Sequence, residues 1–278
     1  MHKTGSTSIQ HFLSRRRRIL PLFGVRYPRS FGADGRSQPK HNAIFTAISH
    51  EADFGAPHPI LGPSARLVEQ VARDFADSRA SLCILSAEGF SGERPDFARA
   101  LTPLRDSFDV SVIVFLRRPD IWLEKFHRQM ILSREVRETR GIAEFMMAPE
   151  TQRHLDYPAI LGWWADAFGP DALRVEPYRE DGDVLRRFLE VAELPSLLKV
   201  FSGTGGRLNQ SPDIETVLRT LRANRGGGSA APSELILSDE AKRELSSRLQ
   251  MAWNRSDNVD VQAFSPPSFI FSMLEHAE

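Results

Sequence analysis

Asp109 to Leu116 reads D-V-S-V-I-V-F-L, a run dominated by β-branched and large apolar side chains. A strand with one face in water alternates polar and apolar residues, whereas an unbroken apolar run is buried on both faces, as in a parallel sheet covered by helices. The run ends in Arg117-Arg118-Pro119-Asp120, and a helical pattern follows from Ile121 to about Glu135. Pro119 suits the first helical turn, where its missing N–H costs nothing. Ser81 to Ala87 reads as a second buried strand, ending in Glu88-Gly89. Such alternation predicts an α/β fold, a parallel β-sheet flanked by helices with right-handed crossovers. Ligands of such sheets sit beyond the C-terminal ends of the strands, which is where Glu88 and Arg117 fall.

Elsewhere the pattern is mainly helical. Helices are expected over Ile9 to Arg18, His41 to His50, Ser64 to Ala76 with Ser64 as N-cap, and Asp96 to Phe108. Pro21 to Lys40, rich in Gly, Pro, Arg and Ser, reads as a long loop, a type that is usually functional or mobile. An amphipathic helix closes at Gly169-Pro170 before a short strand, Leu173 to Tyr178, and Trp163, Trp164 and Phe168 are expected in the core. Beyond Tyr178 the segments near Asp183 to Ala192, Pro212 to Arg222 and Asp239 to Trp253 are helical, and Gly226 to Pro232 has the composition of a flexible linker. With 278 residues and 41% hydrophobic content, one domain is the economical count: an α/β core over 1–200 and a mostly helical part of the same domain over 201–278.

The chain opens with His2-Lys3-Thr4-Gly5-Ser6-Thr7-Ser8, leading straight into the first helical pattern. Unsatisfied N–H groups and the helix dipole favour an anion there, and Gly5 allows a phosphate oxygen to come close. Ser and Thr at this place also suit an ordinary helix cap. The order is not Walker A, in which the lysine follows the second glycine. Instead K-T-G-S-T-S resembles the 5′-phosphosulfate loop of the PAPS-dependent sulfotransferases, and especially their bacterial and carbohydrate-directed branch. The strand ending in Arg117 resembles that family's 3′-phosphate motif, an arginine with a serine two helical turns on; here the serine position holds Lys125. W-A-D-A-F-G and V-E-P-Y, within Trp164 to Tyr178, are similar to a third element of the family.

The resemblance implies a P-loop NTPase-like sulfotransferase fold. It also implies an enzyme that transfers the sulfuryl group of PAPS to a hydroxyl acceptor, a carbohydrate or glycoconjugate. Lys3 would stabilise the leaving phosphate as a catalytic group. Lys3, Thr4, Gly5, Ser6, Thr7 and Ser8 would hold the 5′-phosphate, Arg117 and Lys125 the 3′-phosphate, and Arg207, in an R-x-N-x-S element, would close over the nucleotide. The candidate bases are Glu88, at a strand end, and His41, whose ordinary pKa suits the task. A glutamate so placed also caps turns, and a lone histidine is often structural. The chemistry needs no metal, and no His/Cys/Asp cluster at ligand spacing offers one.

Similar proteins carry an apolar strand ahead of the loop, whereas here the loop begins at residue 2. The favoured expectation is an N-terminally truncated chain lacking its first central strand, with a gap or unpaired edge beside the strands Leu82 to Leu85 and Val112 to Leu116. The alternative is a member that has lost the strand. Two other readings of the whole chain stand: a P-loop kinase-like nucleotide phosphotransferase, or a catalytically inactive sulfotransferase-fold binding protein.

Composition narrows the rest. Lys plus Arg and Asp plus Glu balance at 36 each, against a dedicated nucleic-acid binder. The run Arg15 to Arg18 reads as a solvated helix face. The single cysteine, Cys83, lies in an apolar run and excludes internal disulfides and multi-cysteine metal sites. No stretch has the apolar length of a transmembrane helix, and the N-terminus has no apolar signal core, so a cytoplasmic location is expected.

Overall fold

The computed structural model describes residues 6–91, 94–178, 183–201, 213–253 and 272–276. Lys3, Thr4, Gly5 and Arg207 lie outside the described residues. The main sheet has five strands: β1 (Val25–Arg26), β4 (Leu82–Leu85), β5 (Phe108–Leu116), β6 (Leu173–Pro177) and β7 (Ser272–His276). Two further strands, β2 (Ser30–Phe31) and β3 (Ser37–Gln38), form a separate antiparallel hairpin.

The order in the main sheet is β1-β4-β7-β5-β6. β1 pairs parallel with β4, and β5 parallel with β6. β7 is antiparallel to both of its neighbours: Leu274 is in register with Cys83 on one side and Val110 on the other. Two expectations are thereby corrected. The sheet is mixed, not wholly parallel, and the gap or unpaired edge expected beside β4 and β5 is filled by a C-terminal segment. The physical reason is that β4 and β5 each present a row of backbone donors and acceptors to the slot, and any strand lying there satisfies both rows at once. β1, β4, β5 and β6 all point the same way, so their C-terminal ends share one edge of the sheet.

Helices cover the sheet. α1 (Ser6–Arg16), α2 (Asn42–Phe54), α3 (Ser64–Ala76), α4 (Asp96–Leu101) and α5 (Pro119–Leu132) come first in the chain. α3 shows why the pattern is legible: Val68, Val71 and Phe75, spaced three and four apart, are its buried face. Its cap differs from expectation. Pro63 is the N-cap, and Ser64 instead gives its backbone N–H to Glu51 Oε1 at 2.7 Å and its hydroxyl to Glu51 Oε2. The carboxylate of α2 therefore caps α3. The segment Asp96 to Phe108 is a short α-helix followed by a 3-10 turn, Thr102–Asp106.

Pro21 to Lys40 is more structured than a loop, since it supplies β1 and the β2–β3 hairpin. Gly24 allows this, with φ of 72° and a carbonyl that accepts from Ser81 N at 2.9 Å and Leu82 N at 3.0 Å, which docks β1 beside β4.

The second half adds α6 (Ile142–Met147), α7 (Pro149–Leu155), α8 (Tyr157–Phe168), α9 (Val184–Val191), α10 (Pro195–Phe201), α11 (Ile214–Asn224) and α12 (Asp239–Trp253). Trp164 and Phe168 are buried in the core beneath β5 and β6, and Trp163 packs at its border. A second apolar cluster joins Ile131 of α5 to Val217, Leu218 and Leu221 of α11. Asn224 Nδ2 donates to Ile131 O at 2.9 Å and Glu138 O at 3.0 Å, further securing α11 to α5.

Gly226 to Pro232 is a tethered turn, which corrects the linker reading. Arg225 donates to Thr139 O at 2.8 Å, Ser229 O at 2.7 Å and Glu234 Oε2 at 2.6 Å, and Arg222 reaches Ala230 O at 3.2 Å. Cys83 is buried, and burial pushes its thiol up to about 12, so it stays protonated.

Candidate functional site

β4 ends at Leu85, and the next residues, Ser86 and Ala87, are fully buried before Glu88 opens a 3-10 turn, Glu88–Ser91. Gly89 is required for that turn: a Cβ there would fall 2.1 Å from Cδ2 of Phe45, whose ring stacks on Phe97 at 4.9 Å between centroids. The turn thus brings the Glu88 carboxylate close to the start of α1. Ser6 Oγ donates to Glu88 Oε1 at 3.0 Å, and Lys40 Nζ lies 3.6 Å from Oε2. One turn along α1, Gln10 Nε2 donates to Ser86 Oγ at 2.9 Å. Ser6 and Gln10 are both buried, so α1 approaches the end of β4 with a polar stripe.

His41 completes the lattice under the carboxylate. Its Nδ1 accepts from Ser86 N at 3.0 Å, and its Nε2–H donates to Pro28 O at 3.1 Å. Its own backbone N–H donates to Ser86 O at 2.7 Å. These partners define the tautomer with hydrogen on Nε2. Burial lowers the pKa to about 4, so the ring is neutral at pH 7. Both ring nitrogens are engaged with backbone, an arrangement suited to joining the end of β4 to the chain at Pro28. It leaves the imidazole no open nitrogen to take a substrate proton.

The other strand ends add a cation. Arg117 follows β5 and is 2% exposed, with its guanidinium 4.5 Å from the ring centre of Tyr178. Tyr178 follows β6, and its N–H donates to Leu116 O at 3.0 Å, extending the ladder by one step. Tyr157 OH donates to Arg117 O at 3.2 Å, and burial raises the phenol pKa, so it remains a donor. Arg118 behaves differently. Its Nε and Nη2 bind Asp120 Oδ1 at 2.7 Å and Oδ2 at 2.5 Å, a bidentate pair on the first turn of α5. The two adjacent arginines therefore divide, one against Tyr178 at the sheet edge and one onto the Asp120 carboxylate at the start of α5. Lys125 is half-buried two turns into α5.

Of the expected site residues, Ser6 and Glu88 meet directly, and Arg117 stands at the same edge of the sheet. Thr7 and Ser8 lie in the first turn of α1. Gln10, Lys40, Ser86 and Tyr178 were not singled out as site residues by the sequence. Gln10 was within reach of a pattern argument, being four residues from Ser6 and hence on the same helix face. Lys40 was not, since its place depends on the course of the whole segment from β1 to α2. No group of three or more potential metal ligands occurs among the described residues, and no described helix is long and apolar enough to cross a membrane.

No family profile, curated protein or solved structure matches this chain.

Proposed function

We propose that the chain is a sulfotransferase that moves the sulfuryl group of PAPS to a hydroxyl acceptor, a carbohydrate or glycoconjugate by its sequence resemblance. The observation that carries this reading is the junction of Ser6 and Glu88, a helix start and a strand end meeting on the sheet edge where the buried Arg117 follows another strand. The donor set suits a nucleotide with separated phosphates: N–H groups and hydroxyls at the start of α1 for one, and a desolvated guanidinium after β5 for the other. Arg117, with Lys125 on the following helix, would hold the 3′-phosphate, and Thr7 and Ser8, with the backbone N–H of Ser6, the 5′-phosphate.

When bound, PAPS supplies an activated sulfuryl group. Glu88 takes the proton of the acceptor hydroxyl as the oxygen attacks sulfur. The Ser6 hydroxyl on Oε1 and the Lys40 ammonium near Oε2 orient that carboxylate. Lys3 would meet the negative charge that grows on the departing nucleotide, a contact made only in the transition state. His41, neutral and bound at both nitrogens, positions the strand end and does not itself take the proton.

The test is nucleotide choice followed by transfer. Adenosine 3′,5′-bisphosphate should raise the melting temperature without magnesium, and labelled sulfate should pass from PAPS to a hydroxyl acceptor. Stabilisation by ATP with magnesium, and none by the bisphosphate, would point to a phosphotransferase instead. Binding of the bisphosphate with no transfer to any of a panel of hydroxyl acceptors would leave a binding protein.

A further inference from the structure

Charge is unevenly placed along a chain that is neutral as a whole. Residues 1–50 hold nine Lys and Arg against one acidic residue, Asp34. Arg36 is the cation that approaches it, at 3.8 Å. Among the described residues, Arg17, Arg26 and Arg29 form no ion pair. Arg17 lies on the last turns before the 3-10 helix Leu20–Phe23, with its guanidinium 5.1 Å from the ring centre of Tyr27. Arg26 precedes that tyrosine and Arg29 follows it by two residues. Nε and Nη2 of Arg17 and Nε of Arg26 are buried with no acceptor. Burial lowers the Arg17 pKa, and the charges of Arg29 and Arg26 lower it further.

This arrangement is costly in isolation. Desolvated donors without acceptors destabilise the fold, and like charges held together add to that. A solvated face would turn these side chains outward, whereas Arg17 and Arg26 are half-buried and only Arg29 is exposed. A negatively charged ligand against the guanidiniums offsets the repulsion between them.

Position gives the ligand its direction. Arg26 ends β1, whose C-terminal end lies on the same sheet edge as the end of β4. Tyr27 OH donates to Pro39 O at 2.6 Å, and the next residue, Lys40, is the one beside Glu88. The arginines thus stand one strand away from the carboxylate, connected to it through Tyr27, Pro39 and Lys40. A ligand that suits the region carries acid groups for the arginines.

We propose that Arg17, Arg26 and Arg29 form a subsite for a carboxylate or sulfate on an acidic polysaccharide, which is the acceptor whose hydroxyl Glu88 deprotonates. The last clause rests on the sulfotransferase reading; the binding of an acidic chain does not. A bilayer surface is the less fitting partner, because half-buried guanidiniums cannot reach a flat layer of headgroups.

The experiment is binding of carboxymethyl-dextran and of uncharged dextran of equal length, measured by calorimetry with no nucleotide present. Wild type should bind the acidic polymer at least tenfold more tightly, with affinity falling as salt is added. Arg26→Glu/Arg29→Glu should lose at least tenfold in that affinity while keeping its melting temperature and its affinity for adenosine 3′,5′-bisphosphate. Arg15→Glu/Arg18→Glu makes the same change of charge at two exposed arginines, at the end of α1 and in the turn after it, and should lose less than threefold. Equal losses in the two double variants, equal binding of the two dextrans, or retention of anionic phosphatidylserine vesicles but not of carboxymethyl-dextran would overturn the subsite. Failure of the bisphosphate to bind, with the polymer result intact, would overturn the sulfotransferase reading alone.

Discussion

Ser6 Oγ donates a hydrogen bond to Glu88 Oε1 at 3.0 Å, joining the first turn of α1 to the residue that leaves β4, 82 positions later. A carboxylate at a strand end is common, but one fixed by a hydroxyl from a helix start and an ammonium from a separate segment has a set direction. That direction is what a proton acceptor needs, since transfer efficiency falls with small displacements of the reacting groups.

Glu88→Gln should therefore lower turnover by roughly a hundredfold or more, the typical contribution of a positioned base. Affinity for adenosine 3′,5′-bisphosphate should stay within about threefold, a span under 1 kcal/mol. Calorimetry and a sulfate-transfer assay on the same preparation separate the two. Near-normal turnover would remove Glu88 as the base.

The adjacent arginines should respond in opposite ways. Arg117→Ala removes a buried cation and should weaken nucleotide binding by about 1.5–3 kcal/mol, roughly ten- to a hundredfold. Arg118→Ala breaks the pair with Asp120 and should lower the melting temperature while leaving nucleotide affinity unchanged. A loss of affinity in Arg118→Ala equal to that in Arg117→Ala would contradict the division of roles.

His41 makes stability depend on pH with a definite sign. Its folded pKa of about 4 lies below the ordinary value of 6.5, so between these values the unfolded chain binds more protons than the folded one. The stabilisation is fully present above pH 6.5 and is lost as pH falls towards 4. It amounts to about 3 kcal/mol at most, from a shift of that size. Urea titrations of His41→Phe across this window should show a shallower decline than wild type, whatever the variant's absolute stability. Parallel declines would mean that the ring is protonated in the fold.

Arg225→Ala tests the turn at Gly226 to Pro232. The guanidinium supplies three segments with donors, so its loss should cost roughly 1–3 kcal/mol and expose the turn to proteolysis. A flexible linker would be cut equally fast in wild type, and limited proteolysis reads the difference.

The central position of β7 predicts a strong effect of proline. Leu274→Pro removes an N–H from a strand with neighbours on both sides and should cost about 3 kcal/mol or more. A terminal segment lying outside the sheet would tolerate the change, and denaturant unfolding distinguishes the two.

Much of this is written locally in the chain. The unbroken apolar runs before Glu88 and Arg117 specify strands buried on both faces. The three- and four-residue spacing of Val68, Val71 and Phe75 specifies a helix, and Pro119 marks the start of another. Each depends on side chains within a few positions of one another, so the sequence alone determined these elements and put Glu88 and Arg117 at strand ends. Contacts between distant segments decided the rest. β7 enters the sheet because β4 and β5 offer it two ladders. Lys40 reaches Glu88 only through the path taken by β1 and the β2–β3 hairpin. Arg117 and Arg118, identical in type and adjacent in sequence, differ because one lies against Tyr178 and the other meets Asp120. Hydrogen-bond partners and burial are properties of the packed chain, and local pattern carries no record of which distant group will arrive.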